Sequence, residues 1–115
     1  MLYTIKSNVI RNIDGKIKYR QFNEKGKMHF HLGVWVDGSE RELDEIEFVQ
    51  YALHPTFKNQ NRSSRNRPNN FSITFWTWGM FNIKVAIHLH SGEIINMDYY
   101  LEYTLPSDKS EYVQV

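Results

Sequence analysis

An all-β fold, an antiparallel β-sandwich of about seven or eight strands, is what this chain predicts, and three observations predict it. Phenylalanine, tyrosine and tryptophan make up 15% of the residues, and large aromatic and β-branched side chains favour strands. Apolar residues recur at every second position in several segments, the period of a strand with one buried face. Turn signals at Asp14-Gly15, Asp37-Gly38 and Ser91-Gly92 punctuate those segments, and no helical stripe interrupts them.

In chain order, LYTIKSNVI and KIKYRQF read as short strands, with Asp14-Gly15 as a hairpin-turn signal between them because glycine accepts positive φ cheaply. A charged connector from Asn23 to Lys27 leads into MHFHLGVWV. There Met28, Phe30, Leu32, Val34 and Val36 share one face, and His29, His31, Gly33 and Trp35 the other. Glu40–Glu47 reads as a charged edge strand of the kind that discourages sheet-to-sheet association. Val49, Tyr51 and Leu53 form the inward row of the next strand. Lys58 to Asn70 is polar and basic, and reads as a long loop.

The chain re-enters the fold at FSITFWTWGMF, with Phe71, Ile73 and Phe75 inward. A core explains the phenylalanines but not both Trp76 and Trp78; Trp76 is expected to cover the outer face of the sheet. Phe81, Ile83, Val85, Ile87 and Leu89 alternate inward in the next strand. Ile95, Met97, Tyr99, Leu101 and Tyr103 do so in the last. The domain is expected to span residues 1–105, with 106–115 as a polar tail or linker.

The 115 residues fit one domain with one core, and 41% hydrophobic with 23% charged residues excludes wholesale disorder. A net charge of +1 supplies no global basic field, so no nucleic-acid partner is expected. The absence of cysteine removes disulfides, thiolate metal sites and cysteine nucleophiles, and suits a reducing, cytoplasmic setting. No apolar run is long enough to cross a bilayer, so this segment is not expected to insert into a membrane, although a membrane-anchored or multidomain parent chain fits equally well.

LHPTF at 53–57, TWGMF at 77–81 and VWVDG at 34–38 together resemble the YEATS domain family in order and spacing, most of all its prokaryotic branch, over residues 28–103. The resemblance implies an immunoglobulin-like sandwich whose end loops read acylated lysine, such as acetyl- or crotonyl-lysine, on a partner peptide or protein. By position it makes Phe57 and Trp78 the walls of a slot for the flat acyl-amide. Thr56 would offer its hydroxyl, His54 would support that loop, Gly79 would allow close approach to the Trp78 N–H, and Phe81 would back the slot. Met28 stands near where an aromatic helps to close the pocket in eukaryotic members, and Thr77 stands where a glycine usually precedes the aromatic wall. The chemistry suits the ligand: a neutral planar amide needs two flat faces and one or two hydrogen bonds, not a charged clamp.

Other signals are weaker. His54 and Thr56 lack the third orienting group of a catalytic pair, so the chain is read as a non-enzyme with no cofactor. His29/His31 and His88/His90 have a spacing that can hold a metal, with Asp98 as the third ligand to check, but a solvent-facing row explains them as well and no metal is expected. The alternative function is a protein-interaction or structural module of a prokaryotic signalling or defence assembly, without an acyl-lysine pocket.

Overall fold

The computed structural model describes residues 3–21 and 27–115. Its strands are β1 (Thr4–Val9), β2 (Ile17–Gln21), β3 (Met28–Asp37), β4 (Ile46–Ala52), β5 (Asn61–Ser64), β6 (Ile73–Thr77), β7 (Phe81–Leu89), β8 (Ile94–Leu101) and β9 (Tyr112–Gln114), with one short helix α1 (Glu40–Asp44). They form two sheets, one of β1, β2, β3, β6 and β9, the other in the order β5-β4-β7-β8. Alternating apolar residues explain how the two layers meet. Leu32, Val34 and Val36 of β3 and Ile83, Val85 and Ile87 of β7 are fully buried, as are Val49, Tyr51 and Leu53 around β4. The fold is the expected sandwich. The inward row of β8 is less deeply covered: Ile95, Met97 and Tyr99 are half-buried and only Leu101 is sealed.

Four local expectations need correction. The Asp14-Gly15 turn exists, with Gly15 at φ 79° and its N–H donating to the Asn12 carbonyl at 3.0 Å. It does not join a hairpin of β1 with β2, however. Both strands pair with β3, β1 opposite residues 32–37 and β2 opposite 28–30, while β6 runs along the other edge. Residues 11–17 are a finger pushed out of one interrupted strand and closed by the Arg11–Ile17 bridge.

The acidic stretch is a helix followed by a strand, not an edge strand. Ser39 accepts from the Glu42 N–H while the Glu42 carboxylate accepts from the Ser39 N–H, both at 3.1 Å, a complete capping box. The basic segment is not a plain loop: β5 pairs with β4, and a single 3-10 turn at Arg67–Asn69 follows. Finally, the end of the chain carries structure. β9 pairs in parallel with β2, and Tyr112 packs against Tyr19 and Phe30 at ring separations of 6.4 and 6.1 Å. Its single aromatic anchor is too brief to show as a period in a polar stretch. Among the described residues no helix is long and apolar enough to cross a membrane.

Trp76 covers the outer face of the first sheet, as its position on β6 implies. Its indole stacks on His31 with centroids 4.6 Å apart and planes 7° apart, and the Arg20 guanidinium carbon lies 4.3 Å from its ring centroid. His31 Nδ1 is buried there without a hydrogen-bond partner. Burial, then Lys18 and Arg20, hold the imidazole below its usual pKa of 6.5. The unfolded chain therefore binds the proton more readily, so stability is full above about pH 6.5 and falls as pH drops from there towards the folded value. His31→Phe keeps the stack and removes the bare nitrogen. It is expected to raise stability by about 1 kcal/mol at pH 7 and to flatten the acid side of the profile, as thermal melts at stepped pH would show.

Candidate functional site

The loop from β4 to β5 is shaped by its own sequence. Pro55 presets the second position of a turn, which closes with the Phe57 N–H donating to the His54 carbonyl at 3.0 Å. The Thr56 N–H donates to His54 Nδ1 at 3.2 Å, and Thr56 Oγ1 lies 2.9 Å from the same nitrogen. A backbone N–H can only donate, so Nδ1 is an acceptor, the imidazole proton resides on Nε2, and the Thr56 hydroxyl donates to Nδ1 as well. That commits the hydroxyl proton and leaves the oxygen lone pairs to accept from a ligand.

Phe57 is half-buried. Its ring meets Phe75 edge-on at 5.6 Å and lies 5.4 Å from Phe81, while His54 meets Phe81 edge-on at 6.2 Å. The loop is thus seated on the end of the core by three aromatic contacts.

The opposite wall comes from the other sheet. Trp78 follows β6 directly and is 56% exposed. Thr77 is buried, and its hydroxyl donates to the Gly79 carbonyl and accepts from the Gly79 N–H, each at 3.3 Å. Tyr103 donates to the same carbonyl at 3.1 Å, its phenol pushed above the usual value by burial and so held as a donor. A Cβ at Gly79 would meet nothing within 4 Å, so the space beside this backbone is open. The Lys27 ammonium sits 3.7 Å from the Trp78 ring centroid, a cation–π contact.

Thr56, Phe57 and Trp78 line one groove of about 970 Å3, together with His29, Lys58, Asn59, Arg62 and residues 74–77. Among the described residues no ring contact joins Phe57 to Trp78. Both residues line the same groove without a ring contact between them.

Three of the seven residues singled out in the sequence therefore meet in the groove. His54 and Phe81 stand behind Phe57, and Gly79 shapes the turn that carries Trp78. Met28 does not line the groove: it is half-buried against the core, and strand alternation gives the groove its neighbour His29. Sequence reasoning missed the structural parts of Thr77 and Tyr103 and the cations Lys27, Lys58 and Arg62. Tyr103 carried a signal in its place at the end of an inward row, Thr77 in its departure from the motif's glycine, and Lys58 and Arg62 in the basic character of their segment.

A second concavity of about 510 Å3 lies over the outer face of the second sheet. It is lined mainly by polar residues and spanned by the Lys84–Asp98 ion pair at 3.6 Å, and it has no facing aromatic walls. One member of each histidine pair is engaged by a neighbouring ring, His31 on Trp76 and His88 stacked on Phe48 with Nε2 2.7 Å from Gln50 Oε1.

Comparison with known proteins agrees with this fold. The Yaf9 YEATS domain recognizing an H3K122suc peptide superposes with a TM-score of 0.60 at 20% identity, over 87% of this chain and 69% of that one. The Yaf9 YEATS domain bound to H3K27ac gives 0.62 at 20% identity, over 91% and 72%. At these identities the likeness shows the fold. Transcription initiation factor TFIID subunit 14 of Schizosaccharomyces pombe is 37% identical over 51 residues, 44% of this chain. The match spans about a fifth, 20%, of that relative's length. The family model of the prokaryotic YEATS domain matches residues 30–102, from β3 to the end of β8 and across both walls of the groove. This chain belongs to the prokaryotic YEATS domain family.

Proposed function

We propose that this domain is a non-catalytic reader of acylated lysine, holding the acyl-amide between Phe57 and Trp78. The observation that carries the reading is that Phe57 and Trp78 line one open groove, with the Thr56 hydroxyl in the same groove held by His54. An acyl-lysine amide has one donor and one acceptor. The Thr56 oxygen accepts from the amide N–H, and the Trp78 backbone N–H donates to the amide oxygen. The Yaf9 domains of the same fold recognize succinylated and acetylated histone H3, which supports a ligand of this class. With few apolar atoms and two hydrogen bonds, binding is worth about −5 to −7 kcal/mol, or roughly ten to a few hundred micromolar.

The test is an NMR titration with acetyl-lysine, crotonyl-lysine and unmodified peptides, in wild type and Thr56→Val. Saturable shifts at residues 54–57 and 77–81 with acylated peptide only, weakened roughly five- to twentyfold by Thr56→Val, are expected. No shifts at millimolar acylated peptide would refute the slot and favour the interaction module without an acyl-lysine pocket.

A further inference from the structure

Two features of the groove say what surrounds the acyl-lysine. The first is which backbone it runs along. Five consecutive residues, Thr74 to Trp78, line it. Neighbours on a strand point to opposite faces, so a groove lined by five in a row lies against the strand's edge. β6 is such an edge: among the described residues it pairs with β3 alone, leaving the opposite row of backbone N–H and C=O groups unpaired. A free strand edge beside side-chain pockets is the arrangement that accepts an extended peptide.

The second feature is charge. Lys58 and Arg62 line the groove, Lys27 stands on Trp78, and no carboxylate lines it among the described residues. Arg62 is held by its Nε donating to the Asn59 carbonyl at 2.7 Å, and none of these three cations has an ion-pair partner among the described residues. The acidic groups that are paired lie elsewhere. Glu40 and Asp44 engage Arg67, Glu47 engages Arg65 and Asp98 engages Lys84, and none of these carboxylates lines the groove. The net charge of +1 therefore hides a polarised surface, basic at the groove.

We infer that the partner is an extended peptide that pairs along the free edge of β6 and carries acidic residues beside its acylated lysine. This rests on the reading of the Phe57–Trp78 slot and adds the class of segment that enters it. Cations at a groove rim attract carboxylates and repel basic flanks. A peptide fits better than a single-stranded nucleic acid, which needs a succession of open ring faces. Trp76 is covered by His31 and Arg20, so no second open indole follows Trp78 along β6.

The experiment titrates wild type and Lys58→Glu/Arg62→Glu with acyl-lysine peptides of equal length. Their flanks are aspartate-rich, serine-rich or lysine-rich. Added to these are the unacylated acidic peptide, an oligothymidylate, and the acidic peptide N-methylated at successive backbone positions. Lys58→Glu alone is the second variant should the double one be unstable. Affinity is expected to fall about fivefold or more from acidic to neutral to basic flanks, with the order reversed in the charge variant and N-methylation harmful at every second residue. Equal affinity across the flanks, uniform tolerance of N-methylation, or tighter binding of the oligothymidylate overturns the inference while the slot stands. If only acidic peptides bind, acylated or not, the slot reading fails and the acidic-partner inference survives. Absence of binding by every probe overturns both.

Discussion

Phe57→Ala is expected to abolish acyl-peptide binding and to lower stability by about 2 kcal/mol, whereas Trp78→Ala abolishes binding at nearly unchanged stability. The difference lies in what each ring touches. Phe57 is half-buried and packs on Phe75 and Phe81, so truncating it leaves a gap at the end of the core. A fully buried phenylalanine costs more, roughly 3–5 kcal/mol, and partial exposure scales that down. Trp78 is 56% exposed, and the ring contact it makes is to the Lys27 ammonium, so its removal exposes no core. Each wall supplies one face of a two-faced slot. Losing either is expected to raise the dissociation constant at least tenfold, to about 0.1 mM or weaker. Urea denaturation paired with NMR titration reads both quantities. Binding that survives Trp78→Ala would show that the groove does not use the indole as a wall.

The reach of the sequence followed the length of its periods. β3 and β7 each alternate over nine or ten residues, enough repeats for burial of one face to be read directly. β5 has four residues, all polar, and β9 is only three residues long, so their pairing is set by neighbours: β4 supplies the template for one and the Tyr112 contacts for the other. Helix α1 was legible in principle, because Ser39 and Glu42 form a capping box, but five residues make too little of a helical stripe to outweigh an acidic run. In the site, the short motifs pointed to Phe57 and Trp78, which both line the groove. The cations around them come from two separate stretches, Lys27 in one and Lys58 and Arg62 in the other, and only the folded chain brings them to one rim. Thr77 shows the same limit from the other side. Its sequence position marks a missing glycine, while its hydroxyl closes the turn that the glycine would have left to the backbone.

Tyr51→Phe is expected to cost about 1–3 kcal/mol, a large effect for the loss of one oxygen. Tyr51 is buried on β4, and its hydroxyl donates to the Phe71 carbonyl at 2.6 Å. That carbonyl belongs to a strained stretch. Asn70 and Phe71 both lie at φ 58°, in the left-handed region, where a residue with a Cβ is disfavoured by roughly 1–2 kcal/mol. Three hydrogen bonds hold it there: from Tyr51 to the Phe71 carbonyl, from the Phe71 N–H to the Asn66 carbonyl at 2.9 Å, and from the Val36 N–H to the Asn70 carbonyl at 3.1 Å. Removing the first takes the side-chain donor from the Phe71 carbonyl in a buried setting. Burial also raises the Tyr51 phenol well above its usual value of 10.0, so the unfolded chain ionises first. The hydroxyl's contribution is therefore complete below pH 10 and is lost as pH rises beyond it. The gap between wild type and Tyr51→Phe should then be constant from pH 7 to 9 and narrow above 10 in denaturant titrations. A gap that stays below 0.5 kcal/mol throughout, about the scatter of a neutral surface substitution, would mean that the Phe71 conformation is held by its backbone bonds alone.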